Sequence, residues 1–299
     1  MGRVRHPNHR PVSTLPPELR RTVVPEPVRR WVQHHTGSAV VQSKRLAGAS
    51  SAAIHRLRLD DGRRVVLRRY VWRAFIEAEP EAPQREAELL HFALRNGLRV
   101  PELLAADPSG GEVGDGVPVL LMTLLAGQPR ADADPNRLAE AAAQIHEVDA
   151  AELGHQYFPW YEEEMTTPPI RTQQPDLWEQ AIDLWRNVVP AHEPVLIHRD
   201  FHPGNVLWSR GVMTGLVDWA NGCRGPAGCD VATCRSNLVE WAGPVAADAF
   251  VSAYESITGQ TLHPFWPMAN LLEAGPSHWT PANLARREPE LARLVSLLS

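Results

Sequence analysis

The sequence predicts an α+β protein of two lobes, a small one built on an antiparallel sheet with one main helix and a large, mostly helical one. Two observations lead to this prediction. Short apolar runs of strand length, separated by turn signals, occupy much of residues 36–125. Apolar positions at helical spacing are typical of residues 126–299 instead. With 299 residues and 43% hydrophobic content, the chain is long enough to bury a large core.

The small lobe contains four apolar runs that we predict to be strands. They are Val40–Leu46, Ala52–Leu59, Arg64–Val71 and Pro118–Met122. Asp60-Asp61-Gly62 is a hairpin turn between the second run and the third. The main helix is predicted over Gln84–Asn96, because its leucines and alanines form an apolar stripe and Gly97 is a suitable stop.

The regions outside the small lobe are predicted to be largely helical. Residues 1–35 form a basic, proline-rich extension in which Pro17–His35 contains a helix that packs on the small lobe. In the large lobe the sequence predicts helices over Asp134–Ala150, Asp176–Val189 and Ala246–Thr258. The first two begin with an aspartate that is expected to cap the helix.

A polar segment in the large lobe carries the strongest chemical signal. His198-Arg199-Asp200-Phe201-His202-Pro203-Gly204-Asn205 follows the apolar run Pro194–Ile197, and Asp218 comes thirteen residues after Asn205 behind a predicted hairpin. Such a hairpin delivers Asn205 and Asp218 on the same side. Their oxygens suit a divalent cation, which an anionic phosphoryl group requires, and Asp200 is suited to accept a hydroxyl proton. The alternative is a polar loop held by a salt bridge.

This segment resembles the catalytic loop of the aminoglycoside phosphotransferase family, the small-molecule branch of the protein-kinase-like fold. The family pattern H-x-D-x-x-P-x-N is matched at His198, Asp200, Pro203 and Asn205. The resemblance implies a two-lobed kinase-like fold, ATP or GTP with Mg²⁺ as cofactors, and a small-molecule hydroxyl compound as acceptor. It implies that Asp200 is catalytic with support from His198, and that Asn205 and Asp218 hold the metal.

Two later segments refine the resemblance. Asp218 is followed by Trp219-Ala220 and not by Phe-Gly, which is typical of the small-molecule family and argues against a protein kinase. Gly225–Ala232 resembles the family segment G-x-P-x-x-D-L-A, in which the aspartate, here Asp230, braces the catalytic loop. The resemblance covers residues 38 to about 258.

The phosphate-binding half of the site is predicted in the small lobe. Ser50 and Ser51 lie in a loop of small residues whose backbone N–H groups could approach a phosphate, although an ordinary hairpin turn fits the loop equally well. Strand alternation places Val66 and Arg68 on one face, so that Val66 would touch adenine and Arg68 the phosphates. Arg68 stands where kinases usually carry lysine, and a guanidinium also binds phosphate oxygens.

The remaining nucleotide contacts are predicted on the main helix and the hinge. The family pattern R-E-x-x-x-L favours Glu86 over Glu88 as the partner of Arg68, although both acids could stabilise the helix N-terminus. By resemblance, Val100-Pro101 leads into a further strand, and Met122, Thr123 and Leu124 form the hinge that binds the adenine edge. For Met122, a plain core position is the alternative.

Composition narrows the class of protein. A net charge of −5 gives no sign of a nucleic-acid partner. No apolar run reaches the roughly 18–20 residues of a membrane span, and no secretory signal is visible, so we expect a cytoplasmic enzyme, monomeric or homodimeric. The three cysteines, Cys223, Cys229 and Cys234, suit a reducing compartment better than a disulfide framework or a zinc site.

The acceptor is left open by the sequence. Glu162-Glu163-Glu164 is an acidic run that would attract a cationic acceptor such as an aminoglycoside, or it is only a solvated face. The numerous tryptophans could instead line an apolar pocket. A rival hypothesis is a non-catalytic nucleotide-binding module of the pseudokinase type. Arg68 in place of lysine supports that rival, and the intact metal ligands oppose it.

Overall fold

The structure is a computed structural model that describes residues 17–20, 23–46, 51–159, 164–273 and 279–299. It divides the chain into two compact units. The N-terminal unit takes the described residues up to Gln128 together with Leu207–Asn221. The C-terminal unit takes Pro129–Val206 and Gly222–Ser299.

The N-terminal unit is built on an antiparallel sheet of five strands. Its elements in chain order are α1 (Glu26–Thr36), β1 (Val40–Arg45), β2 (Ala53–Leu59), β3 (Arg64–Arg69), α2 (Arg73–Ala78), α3 (Ala82–Arg95), β4 (Leu103–Asp107) and β5 (Val119–Thr123). The short strand β6 (Gln128–Pro129) follows, with Gln128 in this unit and Pro129 in the other. The strand order of the sheet is β1-β2-β3-β5-β4, and each neighbouring pair is antiparallel. A 3₁₀ turn at Pro17–Arg20 precedes α1.

One face of this sheet is covered by α1. The buried residues of α1 recur at helical spacing and include Val28, Trp31 and Val32. They join Leu67 and Leu121 of the sheet in one apolar cluster. The same alternation that sends Leu67 to this face sends Val66 and Arg68 to the opposite face. The face away from α1 is therefore the one that carries the predicted nucleotide residues.

The C-terminal unit is mostly helical. The remaining elements are α4 (Pro135–His146), α5 (Pro175–Asn187), β7 (Pro194–Ile197), β8 (Val206–Ser209), β9 (Val212–Leu216), β10 (Cys223–Pro226), α6 (Ala227–Trp241), α7 (Pro244–Thr258), α8 (Phe265–Glu273) and α9 (Pro281–Leu298). In this unit β7 and β10 form a two-stranded antiparallel ladder. Residues of α5, α8 and α9 form a second apolar core around Trp178, Met268 and Leu291.

The hairpin β8–β9 leaves the C-terminal unit and belongs to the N-terminal one, apart from Val206. It forms a three-stranded sheet in the order β6-β8-β9. The N–H of Leu216 donates to the carbonyl of Arg99 at 2.8 Å, which ties the end of β9 to the segment before β4. Asp218 is thereby carried into the N-terminal unit, while Asp200 and Asn205 belong to the C-terminal one.

The predicted α+β class is confirmed, and most predicted elements are present with shifted ends. Strand β7 has the bounds that its apolar run predicted. The predicted cap at Asp176 is wrong, because α5 begins at Pro175 with Gln174 in the N-cap position. The first large-lobe helix ends at His146 and not at Ala150. Helices α2, α6, α8 and α9 were not predicted.

None of the helices in the described part of the chain combines the length and the apolar character that a bilayer crossing requires.

Gly127 allows a close approach between two backbone segments, which gives a stability prediction. Its φ is +99°, and a Cβ there would lie 2.3 Å from the carbonyl oxygen of Trp208. Gly62 has a φ of +87° with open space around it. We expect Gly62→Ala to cost about 1 kcal/mol from the left-handed backbone alone. Gly127→Ala should cost about 2–4 kcal/mol, since the clash adds to the same strain.

Urea denaturation of the two variants beside the parent measures this difference. Equal losses at the two glycines would show that the contact with Trp208 does not limit residue size at position 127.

Candidate active site

The polar loop after β7 is held by one carboxylate. Asp230, in the first turn of α6, is fully buried and accepts two consecutive backbone N–H groups. Its Oδ2 accepts from the N–H of His198 and its Oδ1 from the N–H of Arg199, each at 2.7 Å. Arg199 has a positive φ of 68°, which is uncommon for a residue with a side chain. The two hydrogen bonds to Asp230, called the clamp below, therefore hold the backbone of Arg199 in an intrinsically unfavourable conformation.

A chain of hydrogen bonds supports Asp230 from two further helices. His146 at the end of α4 places Nε2 3.2 Å from Asp230 Oδ2. Its Nδ1 lies 2.7 Å from the hydroxyl of Tyr254 on α7. Burial raises the pKa of Tyr254 above its ordinary value, so this hydroxyl is neutral at physiological pH. Three helices thus converge on the carboxylate that positions the loop.

The side chain of Arg199 anchors the same loop on its other side. It is 4% exposed, and its guanidinium lies 4.2 Å from the centre of the Tyr157 ring. Its Nη2 is 3.8 Å from Glu273, which also accepts a hydrogen bond from the Tyr157 hydroxyl at 3.1 Å. Arg199 therefore has a structural role that the sequence did not reveal.

Asp200 and Asn205 lie together at the end of the loop, and both are buried. The amide nitrogen of Asn205 donates to the backbone carbonyl of Asp200 at 2.8 Å and lies 3.4 Å from Asp200 Oδ2. Because the nitrogen is used in this way, the amide oxygen of Asn205 is the group suited to ligate a cation. His202 contributes a third polar group, with Nε2 3.7 Å from Asp200 Oδ1, and its ring lies edge-on to Trp241.

The N-terminal unit assembles the other predicted groups around Arg68. This side chain is 3% exposed, and its Nε lies 3.0 Å from Oε2 of Glu86 on α3. Its Nη2 lies 2.7 Å from Oδ1 of Asp218 and 3.2 Å from the hydroxyl of Ser51. The predicted partnership with Glu86 is present. Arg69 follows Arg68, so strand alternation places it on the other face, and there it pairs with Asp115.

Burial makes the charges around Arg68 interdependent. Desolvation raises the pKa of Glu86, whereas the guanidinium of Arg68 acts in the opposite direction. Burial also disfavours the charge of Arg68, but Asp218 and Glu86 outweigh it and raise the pKa of Arg68 above its ordinary value. Tyr70 donates its hydroxyl to Glu86, and burial raises the pKa of Tyr70. One cation thus stabilises two carboxylates, and only one of them, Asp218, is partly exposed.

Asp218 itself is positioned by its own backbone and by α3. Its φ is 68°, in the left-handed region that few side-chain-bearing residues adopt. Two residues later, the carbonyl of Ala220 accepts a hydrogen bond from Nε of Arg85 at 2.7 Å. The side chain of Asp218 is 28% exposed although it forms an ion pair with Arg68.

The adenine-side predictions fall on the expected strands. Val66 of β3 and Met122 of β5 are directly opposed, and Met122 is buried. The N–H of Thr123 donates to the carbonyl of Glu102, so it is used inside the unit, and Leu124 follows half-buried. Their contacts with a nucleotide stay a prediction.

Some predicted positions lie outside the described residues. These are Ser50 of the small-residue loop, together with Glu162 and Glu163 of the acidic run.

Five polar or aromatic residues around these groups were missed from the sequence: Tyr70, His146, Arg199, His202 and Tyr254. Tyr70 could have been found, since it follows Arg68 by two and strand alternation puts both on one face. His202 lies inside the motif itself. His146 and Tyr254 gave no local signal, because each acts on the loop only through contacts between distant parts of the chain.

The clamp at Asp230 predicts a large loss of stability for Asp230→Asn. An asparagine offers one acceptor oxygen where the carboxylate offers two, so a buried backbone N–H loses its partner and a net cost of about 3 kcal/mol is expected. Asp183→Asn, at an exposed position of α5, is the matched control and should change stability by less than about 0.5 kcal/mol. Chemical denaturation of both variants checks this, and a small loss at Asp230 would contradict the bracing role.

The buried pair Arg68–Glu86 predicts that Arg68→Met costs about 3–5 kcal/mol, because Glu86 is left without its cation. Arg69→Met is the control. Its partner Asp115 is 30% exposed, against 2% for Glu86, so water can replace the lost cation and a cost of about 1 kcal/mol is expected.

The Arg68→Met deficit should also depend on pH. With Arg68 removed, burial raises the pKa of Glu86 above its unfolded value, so the deficit is largest at neutral pH and shrinks as Glu86 takes up a proton in acid. Urea midpoints as a function of pH measure it. A deficit that grows in acid would show that Glu86 is not a buried, cation-dependent carboxylate.

Known proteins resemble this chain along much of its length. In a crystal structure of a thermostable mutant of aminoglycoside phosphotransferase APH(4)-Ia, in ternary complex with ADP and hygromycin B, the matched region is 17% identical, with a TM-score of 0.59 over 91% of this chain and 96% of that chain. An aminoglycoside-3'-phosphotransferase of type VIII is 18% identical, with a TM-score of 0.55 over 92% of this chain and 100% of that chain. At these identities the likeness establishes the fold.

A sequence relative is the N-acetylmuramate/N-acetylglucosamine kinase of Neisseria meningitidis serogroup B (strain ATCC BAA-335 / MC58). It is 27% identical over 97 residues, which are 32% of this chain and 29% of the relative. The match thus spans less than a third of the length of that kinase. The family model described as "Phosphotransferase enzyme family" matches residues 43–265, a range that contains Arg68, Asp200 and Asp218. The chain belongs to the phosphotransferase enzyme family.

Proposed function

We propose that this protein transfers the γ-phosphate of ATP, or of GTP, to a hydroxyl group of a small molecule in the presence of Mg²⁺. The observation that carries the proposal is the pairing of Asp200 with Asn205 in a loop braced by Asp230. Membership of the phosphotransferase family supports it. So does a fold neighbour that has been crystallised with ADP and hygromycin B.

Asp200 is the proposed catalytic residue. It lies at the end of a loop whose backbone is fixed by Asp230, so its carboxylate is oriented before a substrate arrives. An acceptor hydroxyl that donates a hydrogen bond to this carboxylate would be aimed at the phosphoryl group. The carboxylate would take its proton as the new O–P bond forms and the bond from the γ-phosphorus to the bridging oxygen breaks, which releases the nucleoside diphosphate. His198 supports the loop through its backbone N–H.

Asn205 and Asp218 are the proposed metal ligands. Both offer oxygen atoms, which Mg²⁺ prefers, and the amide nitrogen of Asn205 is already turned to Asp200. The bound ion would offset the negative charge of the phosphates. Asp218 is partly exposed, and its ion pair with Arg68 sets the direction of the carboxylate. The oxygen chemistry of each residue therefore suits Mg²⁺.

Arg68 acts in this proposal mainly by orienting Asp218, with phosphate binding as its further predicted role. Its guanidinium already contacts the carboxylates of Glu86 and Asp218 and the hydroxyl of Ser51. A lysine ammonium is a point charge, whereas the planar guanidinium presents donors in several directions. Arginine can therefore bind Glu86 and Asp218 at the same time from one buried position.

The proposed acceptor is a polyhydroxylated small molecule of the sugar or aminoglycoside class. The fold neighbour bound to hygromycin B and the sequence relative that acts on N-acetylated sugars both support this class. His202 lies beside Asp200, its ring is edge-on to that of Trp241, and the proposed sugar ring would contact this aromatic pair.

A coupled assay of ADP release tests the proposal. The purified protein is given ATP or GTP, Mg²⁺, and a panel that includes hygromycin B, N-acetylglucosamine, N-acetylmuramate and simple amino alcohols. We expect acceptor-dependent release of ADP from ATP, or of GDP from GTP. Asp200→Asn should lower turnover about 10²–10⁴-fold while nucleotide affinity stays nearly unchanged. Asp149→Asn, at an exposed acid of the same unit, should leave turnover unchanged.

Two results would contradict the proposal in different ways. Undiminished turnover in Asp200→Asn would remove Asp200 from the reaction. Tight binding of magnesium nucleotide with no ADP release for any acceptor would favour the non-catalytic nucleotide-binding module.

A further inference from the structure

Three potential metal ligands meet on the surface of the N-terminal unit, at the end of α1. They are His34 and His35 from the last turn of α1 and Glu112 from the connection between β4 and β5. One ligand atom from each residue lies within 4.8 Å of the others. In the phosphotransfer proposal these residues have no part, since α1 packs on the face of the sheet opposite Val66 and Arg68.

The carboxylate of Glu112 is oriented by a buried tryptophan. The indole N–H of Trp31, which is 5% exposed, donates to Oε2 of Glu112 at 2.8 Å. The other oxygen, Oε1, lies 3.0 Å from Nε2 of His35. A buried donor that holds one oxygen of an exposed carboxylate and aims the other at a neighbouring ligand is the arrangement that outer hydrogen bonds give to metal ligands.

The connection that carries Glu112 is itself fixed by short-range contacts. The side chain of Asp107 accepts the N–H of Val113 at 2.9 Å and the hydroxyl of Ser109 at 3.1 Å. Gly110 has a φ of +70°, and a Cβ there would lie 2.2 Å from the backbone nitrogen of Val117. Glu112 is therefore presented from a tight turn, and ordering it on binding would cost little entropy.

Two imidazoles and one carboxylate are a ligand set that suits Zn²⁺ and similar divalent transition metals. With bonds of about 2.0–2.1 Å, tetrahedral ligand atoms lie roughly 3.3 Å apart, so the separations here need to close by at most about 1.5 Å. His35 and Glu112 are partly exposed, with side-chain exposures of 27% and 47%, and small rotations suffice. The ring centres of His34 and His35 are already 5.0 Å apart.

We propose that His34, His35 and Glu112 form a surface binding site for a zinc-like divalent metal ion, with water in the remaining position. The ion would join the end of α1 to the β4–β5 connection. Because α1 covers the apolar face of the five-stranded sheet, the ion would stabilise the N-terminal unit without contacting substrate.

Zinc titration against a chromophoric chelator tests the site. Because the chain has 13 histidines, other sites can also take up zinc, and total uptake does not report this site. The test is therefore the difference in zinc binding between the parent and its variants. Glu112→Gln keeps an acceptor oxygen for Trp31 and removes the charge, and His34→Ala removes a ligand without touching Glu112. His91→Ala, an exposed histidine of α3 in the same unit, is the control.

We expect the parent and His91→Ala to bind one more zinc ion at micromolar concentration than the two ligand variants, in which this affinity falls at least tenfold. Zinc should raise the melting temperature of the parent and the control but not of the ligand variants. A cobalt(II) absorption band that is present in the parent and lost in Glu112→Gln reports the same site directly.

Melting temperatures of the metal-free variants show that each is folded. If Glu112→Gln and His34→Ala are folded and bind zinc as the parent does, the three side chains are only a surface hydrogen-bonded group and the proposal is wrong.

Discussion

The structure depends on one carboxylate, that of Asp230, which accepts the N–H groups of two consecutive residues at 2.7 Å each. A carboxylate has two oxygens set apart by a fixed angle, so accepting from adjacent amides dictates the path of the backbone between them. That path puts Arg199 in the left-handed region and sends Asp200 towards Asn205. The strain at Arg199 is thus compensated by charge-assisted hydrogen bonds in a dry environment, where such bonds are strongest.

Each unit contains a buried carboxylate, and the two units stabilise it with different hydrogen-bond donors. In the C-terminal unit the buried charge of Asp230 is stabilised by N–H donors from the backbone and from His146. In the N-terminal unit the buried charge of Glu86 is stabilised by a guanidinium and a tyrosine hydroxyl. The arginine that replaces the usual kinase lysine suits this second arrangement, since its planar group reaches Glu86 and Asp218 together.

The sequence predicted the residues of the candidate site better than it predicted the helices that support them. The run from His198 to Asn205 is contiguous, so its resemblance to the catalytic loop of a phosphotransferase family is visible in the sequence, and the family match agrees. The pairing of Arg68 with Glu86 followed from the resemblance, through the family pattern R-E-x-x-x-L, while strand alternation placed Arg68. Helices α6 and α8 were missed because their apolar residues are spread around the helix, as befits elements buried on several sides.

The sequence by itself determined the α+β class, the alternation of side chains along β3 and the presence of an Asp and an Asn five residues apart. Each of these features depends only on residues that are close together in the sequence. Only the tertiary structure decided that Tyr254 and His146 support Asp230 and that Arg199 is anchored on Tyr157 and Glu273. It alone brought His34 and His35 to Glu112, about 80 residues further along the chain. Such contacts are set by how helices and strands pack, and packing between distant segments leaves no periodic trace in either segment alone.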